Sequence, residues 1–223
     1  MSVVVLSGQE LQHVPPAAPS FMVLHSFAGP PTDGSYPLAG LIRDGVGNLY
    51  GTTYYGGASR GCYHGCGTVF MLSPTGAYSF TTTPEGAFPD GGLFQDAAGN
   101  LYGTAELGGA YGYGVVFQLS PDGCKTAFHS FAGGADGTDP LAGLIRDAAG
   151  NLYGTTYYGG AYADGVVFKL SPTGTETVLH SFTGGADGGF PPAGLVQDAA
   201  GNLYGATYYG GAYGDGLVFK LSP

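Results

Sequence analysis

The sequence predicts an all-β propeller of four blades, and three observations carry that prediction. The core GNLYG occurs four times, with its asparagine at Asn48, Asn100, Asn151 and Asn202, spaced 52, 51 and 51 residues apart. A period near fifty residues belongs to propellers or solenoids. Each period holds four short runs rich in β-branched and aromatic residues, and none has helical spacing. The runs are also apolar on both alternating faces, as Val166, Val167, Phe168 and Leu170 show. A sheet sandwiched between two neighbouring sheets requires that pattern, and a propeller blade is such a sheet.

In the clearest unit the first run is AGLIRD at 142–147, placed innermost because small residues suit strands that crowd round an axis. The second is NLYGTTYY at 151–158, the third GVVFKLSP at 165–172, and the fourth and outermost ETVLHSF at 176–182. Between them lie DAAGN, YGGAYADG, SPTGT and GGADGGFP, whose Gly, Asp, Asn and Pro supply the φ values of tight turns. The blades span roughly 38–80, 89–131, 140–182 and 191–223 within a single domain, 21–223, preceded by an N-terminal arm, 1–20. The fourth unit stops after its third run, whereas FMVLHSF at 21–27 is an outer-strand sequence with no blade before it. Residues 21–27 are therefore expected to add antiparallel to 217–221 and close the ring, because an unpaired outer edge would leave backbone groups unsatisfied. The alternative is two chains building a larger ring of eight blades, through strand exchange in a homo-oligomer.

The run P-x-A-G-L-I-x-D-A-A-G-N-L-Y-G resembles the GloVer-type tandem repeats of secreted bacterial proteins over about 21–223. More remotely, it is similar to the NHL and gluconolactonase-like propellers with their G-L-x-x-D-x-x-G-N-x-Y runs. The resemblance implies a propeller and an exported or cell-surface protein, and it carries no reaction that can be transferred. Gluconolactonase-like enzymes hold a divalent metal at the axis with acidic and Asn ligands, and no isolated Glu or Asn on the inner strands matches them. Neither metal nor cofactor is expected.

Composition narrows the partners. Sixteen acids against six scattered bases give a formal net charge of −10, so there is no basic stripe for nucleic acid or an anionic membrane. The apolar run at 3–6 is too short for a membrane span and has no basic segment before it. The arm itself is either a loosely docked terminus or an extra strand on a sheet edge.

Departures from the repeat are the places where a site would show. The first unit carries an insertion in which Cys62 and Cys66 flank Tyr63, His64 and Gly65. A local disulfide fits this Gly-rich spacing in an oxidising compartment; two free thiols or a metal site with His64 are the alternatives. Cys124 has no sequence neighbour to pair with. In the second unit the Tyr-Tyr pair becomes Glu106-Leu107, and Glu106 is a weak candidate for a catalytic acid or base against ordinary repeat drift. Asp44, Asp96, Asp147 and Asp198 are read as caps of the turn that follows each inner strand. Arg43 and Arg146 either pair with these aspartates or form an anion site at one mouth of the channel. His25, His129 and His180 recur in the outer strand and read as structural.

The loops between blades and those between second and third strands should open on one face. That face would carry Tyr54, Tyr55, Tyr157, Tyr158, Tyr208 and Tyr209, with Asp164 and Asp215 close by. Rings beside carboxylates on Gly-shaped loops suit sugars, although bulky Tyr also fills the wedges between blades. The expected function is a secreted binding or adhesion module with a saccharide or small-molecule ligand. A structural or self-assembling repeat protein is one alternative, and a propeller hydrolase or lyase the other.

Overall fold

A computed structural model describes residues 20–58, 61–82 and 86–223, so the expected arm lies, apart from Ser20, outside the described residues. The chain is an all-β propeller in which four antiparallel sheets follow one another as blades, each running from inner to outer strand in sequence order. The first blade comprises Ile42–Arg43, Leu49–Thr53, Thr68–Leu72 and Tyr78–Thr82. The second comprises Phe94–Gln95, Leu101–Ala105, Val115–Leu119 and Lys125–Ser130. Ile145–Arg146, Leu152–Thr156, Val166–Leu170 and Glu176–Ser181 form the third. The fourth has Val196–Gln197, Leu203–Thr207 and Leu217–Leu221. The helical content of the described residues is a single 3-10 turn at Gly134–Asp136.

The repeated motif explains itself in the third blade. Asp147 accepts from the backbone N–H of Asn151 at 2.9 Å, from its side-chain amide at 2.7 Å and from the Tyr153 hydroxyl at 2.9 Å. One carboxylate thus fastens the turn to the strand beyond it, as expected for these aspartates. Two residues after Leu152, the second glycine of the motif lets Phe168 lie flat across the sheet. A Cβ on Gly154 would sit 2.7 Å from the Phe168 ring.

Burial lies between blades rather than within one. Three core clusters fill the three seams: Val69, Leu93, Ala105, Val115 and Phe117 between the first and second blades; Val116, Phe131, Leu144, Val166 and Phe168 between the second and third; and Val167, Phe182, Leu195 and Leu203 between the third and fourth. Just past the second and third outer strands a phenylalanine crosses to the next blade. Phe131 meets Phe168 edge-on at 5.2 Å, and Phe182 meets Phe219 at 5.2 Å. Buried hydroxyls tie the same seams: Thr52 donates to the Gly91 carbonyl, Thr104 to Ala142 and Thr155 to Ala193.

The predicted closing pair is not made. Residues 21–27 carry no strand, and the sheet ending in Leu217–Leu221 has three strands. Instead Phe27 meets Phe70 at 5.2 Å, docking on the first blade as Phe131 and Phe182 dock on theirs. The segment therefore stands where the outer strand of a preceding blade would end. Pairing it with the last strand requires the fourth blade to abut the first, and the ties of the other seams are missing there. Ala206 stands where the other units have the linking threonine, and Val218 is 82% exposed where its counterpart Val167 is fully buried.

Candidate functional site

Backbone pairing joins the loops of each unit. Gly34–Ser35 pairs with Tyr55–Gly56, and Gly86–Ala87 with Leu107–Gly108. Thr138 bridges to Tyr158 and Gly189 to Tyr209. In each unit the residue just before a proline is held at positive φ: Tyr36 at 58°, Phe88 at 62°, Asp139 at 56° and Phe190 at 54°. Bulky residues resist that conformation. In the second, third and fourth units two backbone hydrogen bonds clamp it, one donated to a loop of the preceding blade and one accepted from the residue that follows the blade's own second strand; at Tyr36 the second kind is made, from Tyr54 N–H at 2.9 Å. For Phe190 these are Phe190 N–H to Asp164 O at 2.7 Å and Tyr208 N–H to Phe190 O at 3.2 Å. Gly165 makes room for the join, since a Cβ there would lie 2.8 Å from Pro191 and 2.5 Å from the Thr156 carbonyl.

The clamp stacks one ring on another across two seams. Tyr54 lies on Phe88 at 5.0 Å, with Tyr55 edge-on to both. Tyr157 lies on Phe190 at 5.4 Å, with Tyr158 edge-on to both. Tyr54 and Tyr157 are half-buried and pack, whereas Tyr158, Tyr208 and Tyr209 are exposed on the same face. The half-buried Asp164 carboxylate lies against Gly184 in the third seam, and Asp215 is exposed.

The second seam breaks the pattern. Glu106 takes the place of the stacking tyrosine and Asp139 the place of its aromatic partner. Asp90 stands where the other units have Leu38, Leu141 and Pro192. The Tyr54 hydroxyl reaches across the first seam and donates to Glu106 Oε2 at 2.7 Å. Burial, then this carboxylate, push the Tyr54 phenol above its ordinary pKa. Burial, followed by the Glu106 charge, likewise raises the carboxyls of Asp90 and Asp139. The result is an acidic patch flanked by two aromatic stacks. Glu106 stands out in the sequence as a break in a fixed motif, whereas Asp90 and Asp139 fall in turns, although each replaces an apolar residue of the repeat.

The inserted loop borders this region. Cys62 and Cys66 form a disulfide with Cα atoms 5.2 Å apart, and Cys124 is a free, exposed thiol. The His64 ring meets Tyr55 at 5.5 Å, while the Cys66 carbonyl accepts from Phe88 N–H at 2.9 Å, so the bridged loop helps fix the first aromatic stack.

Arg43 and Arg146 lie at the other end of the strands, exposed and beside the aspartate turns. Each guanidinium folds over its own turn, 3.0 Å from where a Cβ on Gly47 or Gly150 would be. Neither forms an ion pair with the neighbouring aspartate among the described residues, because those carboxylates are taken by Asn and Tyr donors. No helix of the described residues is long and apolar enough to cross a membrane.

Comparison with solved structures agrees with the fold. The chain is similar to a gluconolactonase from Xanthomonas campestris, with 17% identity and a TM-score of 0.51 over 82% of this chain and 56% of that one. It is similar to the virginiamycin B lyase of Staphylococcus aureus, with 12% identity and a TM-score of 0.52 over 84% and 56%. It is also similar to a streptogramin B lyase, with 15% identity and a TM-score of 0.53 over 85% and 55%. The chain thus spans about half the length of the structures it matches. No curated protein matches it in sequence. The model of the Gloeobacter/Verrucomicrobia repeat matches residues 11–121 and 63–223, and the period, the propeller blades and this match together show that the chain belongs to the Gloeobacter/Verrucomicrobia repeat family.

Proposed function

We propose that the chain is an exported binding module whose tyrosine-bearing face takes a neutral saccharide. The observation that carries this reading is the second seam, where Glu106, Asp139 and Asp90 interrupt a file of stacked rings. Sugar C–H faces pack on aromatic rings, and sugar hydroxyls donate to carboxylates, so the patch offers both kinds of partner side by side. The disulfide at Cys62 and Cys66 supports an oxidising compartment. The test is a glycan-binding screen followed by calorimetry on the best neutral oligosaccharide. Glu106→Gln should weaken binding about tenfold, in the range of a hydrogen bond to a charged group, and Tyr158→Ala should weaken it several-fold through the lost ring contact. Affinity unchanged in both variants, with the fold retained, would remove this face from the account.

A second reading, self-assembly, is favoured by the end surfaces. Leu41, Tyr36 and residues 21–24 on the first blade are exposed, as are Val196, Val218 and Tyr208 on the last. These are the two surfaces that the internal seams join, so a second copy could dock head to tail in the same geometry. Light scattering would show concentration-dependent dimers or larger species, and Val218→Lys should dissolve them. A monomer at all concentrations rejects this reading and leaves the saccharide reading untouched.

A further inference from the structure

Histidine–aspartate pairs stand at the outer rims of the second and third seams and where residues 21–27 dock on the first blade, and at one seam the pair acquires a third member of the wrong kind. At the first blade His25 Nε2 lies 3.1 Å from Asp33 Oδ2. Tyr78 completes that group by stacking on the imidazole at 3.8 Å and donating its hydroxyl to Asp33 Oδ1 at 2.5 Å. Between the third and fourth blades His180 and Asp187 stand 3.0 Å apart and half-exposed. Between the second and third, His129 Nε2 lies 3.7 Å from Asp136 Oδ2 and 3.5 Å from Glu176 Oε2.

Strand register shows what Glu176 replaces. It pairs with Leu170 at the start of the third outer strand, as Tyr78 pairs with Leu72 at the start of the first. A phenol always holds a proton to donate to the aspartate; a carboxyl does so only when protonated. Two acids and one imidazole therefore meet where the repeat elsewhere balances donors against acceptors. The Glu176 side chain is only 8% exposed, its Oε1 has no hydrogen-bond partner, and His129 Nε2 has none either. Leaving such groups unpaired inside a protein is costly. One ligand atom from each of the three residues lies within 4.8 Å of the others.

The geometry points to a divalent-cation site at this rim, formed by His129, Asp136 and Glu176 and suited to an ion of intermediate softness such as Zn²⁺. Bonds of about 2.0–2.1 Å in a tetrahedron separate ligand atoms by roughly 3.3–3.4 Å, close to the two separations found around His129. Calcium and magnesium prefer six or more oxygens, whereas an imidazole with two carboxylates suits zinc and its neighbours. Burial, opposed by His129 and reinforced by Asp136, pushes Glu176 up to about 7, a cost that a bound cation would relieve. The three ligands come from the end of the second outer strand, the 3-10 turn and the start of the third outer strand. The ion would accordingly pin two blades together.

The test uses the whole chain, stripped with chelator and titrated with Zn²⁺ by calorimetry and by thermal melting. The expected result is one ion per chain with a dissociation constant of about 10 μM or tighter and a melting temperature raised by several degrees. Glu176→Tyr restores the arrangement of the first blade and should bind at least tenfold more weakly while melting cooperatively. Should that variant fail to fold, the near-isosteric Glu176→Gln makes the same comparison. His180→Asn, in the two-membered pair, should leave zinc binding unchanged. No binding below about 100 μM, equal affinity in wild type and both Glu176 variants, or preference for Ca²⁺ or Mg²⁺ over Zn²⁺ would overturn the assignment.

Discussion

Replacing Phe131 by alanine should cost more than any other single truncation at a seam, because this ring joins the two best-packed blades. Phe131 is fully buried and lies edge-on to Phe168 at 5.2 Å, among Val116, Leu144, Leu152, Val166 and Leu170. A buried phenylalanine hides roughly 150–250 Å². At about 25 cal/mol per Å² this corresponds to roughly 4–6 kcal/mol, of which alanine recovers a part. Measured truncations of this kind cost about 3–5 kcal/mol. For a chain of this size each kcal/mol moves the melting temperature by about 2–4 °C, so a fall of roughly 6–20 °C is expected. Because stability in a repeat array is close to a sum of units and nearest-neighbour interfaces, weakening the middle seam should also lower the cooperativity of urea unfolding. Phe182→Ala at the third seam is the control. Its partner Phe219 is only half-buried on a three-stranded blade, so its loss should loosen that blade and cost less overall. A cost below about 1 kcal/mol at Phe131, or a larger one at Phe182, would show that the seams do not hold the blades together as argued.

Opening the disulfide with Cys62→Ser and Cys66→Ser should cost about 2 kcal/mol from the entropy of so short a loop, checked by melting against wild type with and without reductant. Gly154→Ala should destabilise by roughly 1–3 kcal/mol, since the added carbon would press on Phe168 from 2.7 Å; an unchanged urea midpoint would mean that the ring moves aside freely. Stability should also fall in acid. Asp198 is held at about 2, first by the Asn202 amide and then, against slight burial, by the Asn202 backbone and the Tyr204 hydroxyl. In Asp44, Asp96 and Asp147 burial works in the opposite direction, and the same set of hydrogen bonds outweighs it. Their folded pKa values lie below the unfolded value near 3.9, so the unfolded chain binds more protons. This stability is present above about pH 4 and is lost as pH falls toward 2; melting temperatures that stay level from pH 5 to 2.5 would contradict the sign.

The propeller was legible because the period, the turn residues and the two-sided apolar strands all act within one unit. The aspartate turns were legible for the same reason, their partners lying four and six residues away. Closure was not, because it depends on the fit between units at opposite ends of the array. One local signal did bear on it: Ala206 breaks the threonine pair found at Thr52, Thr155 and their neighbours. That substitution removes the hydroxyl that would tie the fourth blade to a following one. The inner strand is also shorter than the run 142–147. Its small residues, Ala142 and Gly143, approach the preceding blade's backbone at Gly91 and Gly92 closely instead of pairing in the sheet, which leaves Ile145–Arg146 in the ladder.

The candidate sites were legible only in part, since their chemistry lies across seams. Glu106 stood out because it replaces a tyrosine in a fixed motif, but its neighbours Asp90 and Asp139 fall in turn sequences, where an aspartate is ordinarily a turn former. Glu176 was less visible still. Its counterparts in the other outer strands are Tyr78 and Lys125, a set of residues typical of an exposed position, and only packing against the preceding blade makes it buried. Both departures fall on the seam between the second and third blades, one at its loop face and one at its outer rim. That seam also holds a core of fully buried valines and phenylalanines between them. Polar substitutions that would loosen a weaker junction can be carried there, because the apolar contacts that hold the blades together are complete without them.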